Sequence, residues 1–347
     1  MRNKHKKITD KVVNKKNIMP DFLPINSKSL RTDTMVGCDL YILVKTSADN
    51  RYILYYRGDA LFENDKREML LERNISRLFI KKDDQQKYYE YLESNFQNII
   101  SDSRISTDEK TRIVQDVATY LVKNLFINPK TGIVNRTKAF AYNMVDYILQ
   151  DCHAAHSLLK IAVHEQYTYT HSVNVAAVGT LFGRNIGLED NDLKDLCSGI
   201  LMHDVGKTRI STDILNKNGK LTKEEFAIIK GHPELGVEVL KEAGCTLEHE
   251  YLITLQQHEN YDGTGYPYGL RKYEIHLCGK IARIIDVYDA LTSKRPYSDA
   301  IRPFKALVEM KEKMINCFDK QLFIDFVHFL GPYDPREEQR KLNKLKN

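Results

Sequence analysis

The sequence predicts two folded parts in series, a small α+β module followed by a larger all-α bundle. Three observations carry this. Two runs rich in β-branched and aromatic residues, LYILVK (40–45) and YILYY (52–56), flank the polar stretch TSADNR. From about residue 107 the pattern changes to long stretches with apolar residues at helical spacing. Beyond residue 155 one helical pattern follows another, separated by short Gly, Pro and Asn punctuation, with little period-2 alternation.

Taken in order, residues 1–35 mix Lys, Asn, Pro and Ser without sustained periodicity and read as a flexible basic arm, with order expected from Val36. Residues 36–105 form the α+β module. Its hairpin (40–56) is joined by a third strand at RLFIKK (77–82), and ENDKREMLLERN (63–74) and DDQQKYYEYLESNFQNII (83–100) read as helices with acidic first turns. This module carries no cluster of metal ligands or nucleophiles in its sequence, which favours sensing or docking over a second reactive site. Residues 106–154 contain two amphipathic stretches, DEKTRIVQDVATYLVKNLF and KAFAYNMVDYILQDC, split by NPKTG, and read as a helical connector. Residues 155–335 are the all-α domain, and 336–347 a charged tail.

A chain of 347 residues suits two separate cores. Its 52 basic and 47 acidic residues are interspersed, and the net charge of +5 gives no field that would attract a nucleic-acid polymer. The six cysteines (Cys38, Cys152, Cys197, Cys245, Cys278, Cys317) lack CxxC spacing, which argues for reduced core thiols over a disulfide framework or zinc ribbon. No apolar run reaches the ~20 residues of a membrane span, and the lysine-rich start lacks a signal-peptide core, so a cytoplasmic location is expected.

The chemistry lies in how histidines and carboxylates recur. LMHDVGK (201–207) sets His203 beside Asp204 at the end of an apolar stretch. Neighbours on a helix diverge by about 100°, so both reach one site only if it straddles them; the plain alternative is a helix ending at Gly206. GHPELG (231–236) puts His232 before a proline suited to a first helical turn, where a histidine is more often a cap. His171, in YTYTHSVNVAAVGTLFGRNIG, is by itself more readily a core histidine than a ligand. In ARIIDVYDALTS, Asp286 and Asp289 share one face of an apolar helix, which asks for a nearby cation or one core salt bridge. LQQHENYDGTGYP adds His258. Together, His171, His203-Asp204, His232, His258 and Asp286 come from different predicted helices, as in dinuclear sites of helical bundles. Imidazole with carboxylate suits Fe, Mn, Co or Zn better than Mg or Ca.

LMHDVGK, GHPELG, HENYDGTGYPYGL (258–270) and ARIIDVYDALTSKRPY (282–297), preceded by YTYTHSVNVA (167–176), occur in the order and register of the HD-GYP family, which the region from about 155 to 330 resembles. The family groups metal-dependent phosphohydrolases of the HD type. The resemblance implies hydrolysis of cyclic di-GMP, a bacterial second messenger, to pGpG, with GMP as an open second product, by in-line attack of a hydroxide held between two divalent ions, Fe or Mn. It assigns His171, His203, Asp204 and Asp286 to the first ion, and Asp204 as a bridge to a second ion held by His232 and His258. Lys207 would act with Asp204 in catalysis and hold a phosphate oxygen, Arg295 would add a second positive donor, and Tyr266 would stack on a base or meet a partner. Glu259 would support the ligands from behind. Cyclic di-GMP is the implied ligand, with a diguanylate cyclase domain at the GYP loop and a second copy of the chain as candidate partners.

The sequence departs from the family in two places. Gln257 stands where most members have the first of two consecutive histidines, which substitutes a neutral amide for an imidazole at the second ion. Tyr167 stands where three-metal members carry a glutamate, which argues for two ions. Two readings follow: a phosphodiesterase, slowed by Gln257, or a degenerate receptor or scaffold that binds cyclic di-GMP or a cyclase partner without turnover.

Overall fold

The computed structural model describes residues 21–45, 50–150, 153–154, 157–158, 168–217, 219–246, 248–293 and 300–331. The chain divides into two compact units, 1–98 and 99–347. The first is α+β, the second helical.

The first unit is a four-stranded antiparallel sheet of order β1-β4-β2-β3, made of β1 (Phe22–Asn26), β2 (Leu40–Lys45), β3 (Asn50–Tyr56) and β4 (Arg77–Lys81). The hairpin and the third strand lie where the residue types put them. Helices α1 (Asn64–Glu72) and α2 (Gln85–Ser94) follow β3 and β4, and α3 (Phe96–Ile100) spans the division between the units. Leu40, Leu78 and Ile80 fill the buried side, while Phe22 stacks on Tyr52 at 4.0 Å with Tyr41 and Phe79 against them.

Strand β1 corrects the expected arm. Residues 21–35, read as part of a flexible 1–35, belong to the sheet and its flank: β1 pairs with β4, Ser29 Oγ meets the Tyr88 hydroxyl at 2.9 Å, and the Arg31 N–H donates to the Tyr91 hydroxyl at 2.6 Å. FLPIN is short and interrupted by Pro24, so periodicity passes over it. An edge strand accepts a proline because one side of its ladder has no partner. Residues 1–20 and the tail 336–347 lie outside the described residues.

The second correction concerns 106–154. Helices α4 (Thr107–Ile127) and α5 (Thr131–Gln150) belong to the helical unit rather than linking two domains. Leu125 of α4 and Val134 of α5 pack into one core with Met202, Val205, Val239, Leu240, Ala243 and Cys245. An amphipathic helix of 20 residues must bury its apolar stripe somewhere, and here the bundle supplies the place. A capping box between Ser106 and Glu109 starts α4. Among the described residues, further helices of this unit are α6 (Thr168–Asn185), α7 (Asp190–Met202), α8 (Thr212–Leu215), α9 (Lys223–Lys230), α10 (His232–Glu242), α11 (Glu248–Gln256), α12 (Leu277–Thr292), α13 (Pro303–Met314) and α14 (Lys320–Phe329), with short 3-10 helices that include Val205–Arg209. Cys38, Cys197, Cys245 and Cys278 are buried thiols and Cys317 a half-buried one, while Cys152 lies outside the described residues. Among the described residues no helix is long and apolar enough to cross a membrane.

Candidate metal centre

His171 sits in the first turn of α6. Helix α7 stops at Met202, and the backbone then tightens through His203 and Asp204 into the 3-10 helix. This change of pitch lets two adjacent side chains serve one site, which a continuing α-helix would not. The approach of α10 depends on Gly206: a Cβ there would fall 1.9 Å from the His232 carbonyl oxygen and 2.4 Å from the Gly236 nitrogen. Pro233 fits the first turn of α10, and His232 just before it is fully buried. His258 follows α11, and Asp286 and Asp289 lie on α12.

The ligand-type atoms converge in two groups, His171 with His203 and Asp286, and Asp204 with His232 and His258; within each, all lie within 4.8 Å of one another. Two carboxylates join the groups. Asp204 presents Oδ2 to His203 Nε2 at 3.4 Å and Oδ1 to His232 Nε2 at 3.3 Å. Asp286 presents Oδ1 to His171 Nε2 at 3.2 Å and Oδ2 to His258 Nδ1 at 3.8 Å.

The tautomers are set from behind. His203 Nδ1 donates to the Ile200 carbonyl at 2.6 Å and His232 Nδ1 to the Ile229 carbonyl at 2.8 Å, since a carbonyl only accepts. With Nδ1 so engaged, Nε2 of each ring is the atom turned toward Asp204. His203 Nε2, His232 Nε2 and Asp204 Oδ1 are buried without a hydrogen-bond partner. Lone pairs facing a carboxylate with no proton between them are unfavourable unless a cation lies among them. The residues therefore fit divalent metal. His171 is held likewise, with Nδ1 at 2.6 Å from Asp289 Oδ2. Ser293 Oγ in turn donates to Asp289 Oδ1 at 3.2 Å.

Without an ion the same groups interact as charges: burial pulls His171 down, but the Asp289 and Asp286 carboxylates outweigh it and raise the ring to about 9, a proton that a bound cation would displace. Burial pushes the Asp204 carboxyl up, but positive charge beside it, on a proton-bearing His203 ring and on Lys207, outweighs it and holds it well below the usual carboxylate range. Asp286 is likewise held low against its burial, chiefly by the hydrogen bond from the protonated His171 ring. Burial lowers His258 to about 3 and so keeps it a neutral donor.

The other expected residues fall as follows. Lys207 Nζ pairs with Asp204 Oδ2 and is part-exposed. Tyr266 stacks on His258, with centroids 4.8 Å apart and planes at 23°, and Lys230 Nζ lies 5.5 Å from its ring. Arg295 and Tyr167 lie outside the described residues. Glu259, expected behind the ligands, instead holds the GYP loop: its carboxylate accepts from the Tyr268 N–H at 2.7 Å and the Leu270 N–H at 3.0 Å. Gln256, not singled out in the sequence, accepts from the His276 N–H at 2.7 Å and so fixes the start of α12. Gln257 is fully buried, and its Nε2 donates to the His203 carbonyl at 2.7 Å. The loop closes tightly: Gly263 has φ +81°, and a Cβ on Gly265 would lie 2.5 Å from the His258 carbonyl oxygen. Asp289 stood in the sequence beside Asp286, but its role behind His171 needed the fold. Backbone carbonyls as histidine partners carry no sequence signal at all.

Residues 157–322 match the HD domain family model. The chain is 34% identical over 240 residues to the cyclic di-GMP phosphodiesterase PA4108 of Pseudomonas aeruginosa, covering 67% of this chain and 58% of that protein. The bundle is an HD domain of the HD-GYP family. A second relative of the HD-GYP chain is the cyclic di-GMP phosphodiesterase response regulator RpfG of Xanthomonas campestris pv. campestris, 36% identical over 143 residues, or 41% of this chain and 38% of that one. The chain thus spans about half the length of these curated relatives. In fold it is similar to Bd1817, an HDG"Y"P protein from Bdellovibrio bacteriovorus, with a TM-score of 0.62 at 20% identity, covering 90% of this HD-GYP chain and 100% of the other.

Proposed function

We propose that this HD-GYP chain is a metal-dependent phosphodiesterase that hydrolyses cyclic di-GMP, to pGpG or on to GMP. The observation that carries the reading is the pair of ligand groups joined by Asp204 and Asp286, each facing a histidine in both. His171, His203, Asp204 and Asp286 would hold one ion, and Asp204, His232 and His258 a second. Such ions supply Lewis acidity toward a phosphoryl group and acidify a water; Fe or Mn suits the donors. The chain's own contribution is to aim them. Carbonyls behind His203 and His232 and the Asp289 carboxylate fix the imidazole orientations, Lys207 orients Asp204 and offers a cation to a non-bridging phosphate oxygen, and Tyr266 packs the His258 ring. The printed names of the two curated relatives support the substrate.

The test is metal content and product formation by chain purified without oxygen and reconstituted with Mn or Fe. Two ions per chain and release of pGpG or GMP are expected. One ion with tight cyclic di-GMP binding and no product would make the chain a receptor. Asp204→Ala should abolish metal binding and hydrolysis together, and undiminished turnover in it would overturn the site assignment.

A further inference from the structure

Gln257 stands where a second imidazole would serve the second ion, and its environment differs from that of an inert filler. It is fully buried. Its Nε2 donates to the His203 carbonyl at 2.7 Å, and because a carbonyl only accepts, the nitrogen end of the amide must face it. The oxygen end is thereby fixed. Oε1 is enclosed without a hydrogen-bond partner, as are Asp204 Oδ1, His203 Nε2 and His232 Nε2. An amide oxygen left unpaired in a protein interior costs about 1–3 kcal/mol, and of the eight buried side-chain atoms without a partner among the described residues, four belong to Gln257, His203, Asp204 and His232. An amide retained only to hold the His203 carbonyl would have no use for an enclosed, unpaired oxygen. Its chain neighbour His258 belongs to the second ligand group, and the residue it grips adjoins Asp204 of that group.

We infer that Gln257 is itself a ligand: its Oε1 completes the Asp204, His232 and His258 group as a neutral oxygen donor, and so tunes which metal this position takes. The inference rests on the two-ion reading above. Exchanging one imidazole for a carbonyl oxygen makes the donor set harder, which favours Mn over Zn relative to a site with three imidazoles. The amide also ties the second group to the backbone of the first through His203.

The test titrates metal-free protein with Mn or Zn, reading ions bound per chain by elemental analysis and each affinity by calorimetry, for the unaltered chain, Gln257→Leu, Gln257→His and His232→Ala. The expected result is two Mn ions in the unaltered chain, with Gln257→Leu weakening the second by about tenfold or more and sparing the first. Gln257→His should keep two ions and shift the second position toward Zn. If Gln257→Leu keeps both affinities while His232→Ala loses the second ion, the ligand role falls and the two-ion reading stands. If Gln257→Leu weakens the first ion as much as the second, the residue only positions His203 and the inference is overturned. Fewer than two ions in the unaltered chain at saturation would sink the two-ion reading, and this inference with it.

Discussion

Asp289 illustrates how one side chain sets the chemistry of another. Its carboxylate takes the His171 Nδ1 proton in a hydrogen bond and leaves Nε2 to face Asp286. Asp289→Asn can present N–H to the same nitrogen and reverse the tautomer; metal affinity is expected to fall about 10–100-fold in a titration of metal-free protein, with the melting temperature little changed. Unchanged affinity would remove the positioning role. Away from the centre, Glu250 is fully buried, with Ser198 Oγ donating to it at 2.7 Å, and burial raises its carboxyl above the ordinary 4.5. Because the folded state holds this proton more tightly than the unfolded one, the group costs stability that sets in as pH rises above about 4.5. Glu250→Gln should therefore gain melting temperature relative to the unaltered chain between about pH 4 and pH 7, and a constant difference across that range would refute the account. At this scale the histidines and aspartates were legible because their residue types are costly to bury without a partner. The carbonyls of Ile200 and Ile229 were not, since every residue has one.

At the scale of elements, the site depends on close approach. Gly206 lets the 3-10 helix lie against the start of α10, and a methyl group there would meet backbone atoms of His232 and Gly236 that cannot move aside singly. Gly206→Ala is expected to cost about 3 kcal/mol or more and to lower metal affinity with it, as read by thermal melting and metal titration. The GYP loop depends on Glu259, whose carboxylate receives two backbone N–H groups. Glu259→Ala should destabilise by roughly 1–3 kcal/mol and speed hydrogen exchange at Tyr268 and Leu270 more than elsewhere. Helices α4 and α5 were legible from their amphipathic periods, but periodicity tells that an apolar stripe must be covered without telling by what. That is why they read as a connector. Strand β1 escaped for a related reason, since its pairing partner β4 lies some fifty residues later in the chain.

At the scale of the whole chain, every residue brought to the metal centre lies in the unit spanning 99–347, which has its own core. A fragment of those residues is expected to bind metal with the affinity of the full chain; a loss of about tenfold or more would mean that residues 1–98 contribute to the centre. Two units of different class were legible from the switch between strand-type and helix-type patterns, whereas their boundary was not, because a helix crosses it. The segment Gln256–Glu259 has a further consequence. Gln256 holds the start of α12, Gln257 the His203 carbonyl, His258 faces Asp286 and Glu259 grips the loop, so four consecutive residues tie four parts of the bundle to a single piece of backbone. A molecule that docks on the loop and shifts this piece changes the free energy of ion binding, and the ions must then change that molecule's affinity by the same factor. Ion binding at the centre and docking on the loop would then be coupled by one factor, readable from either side.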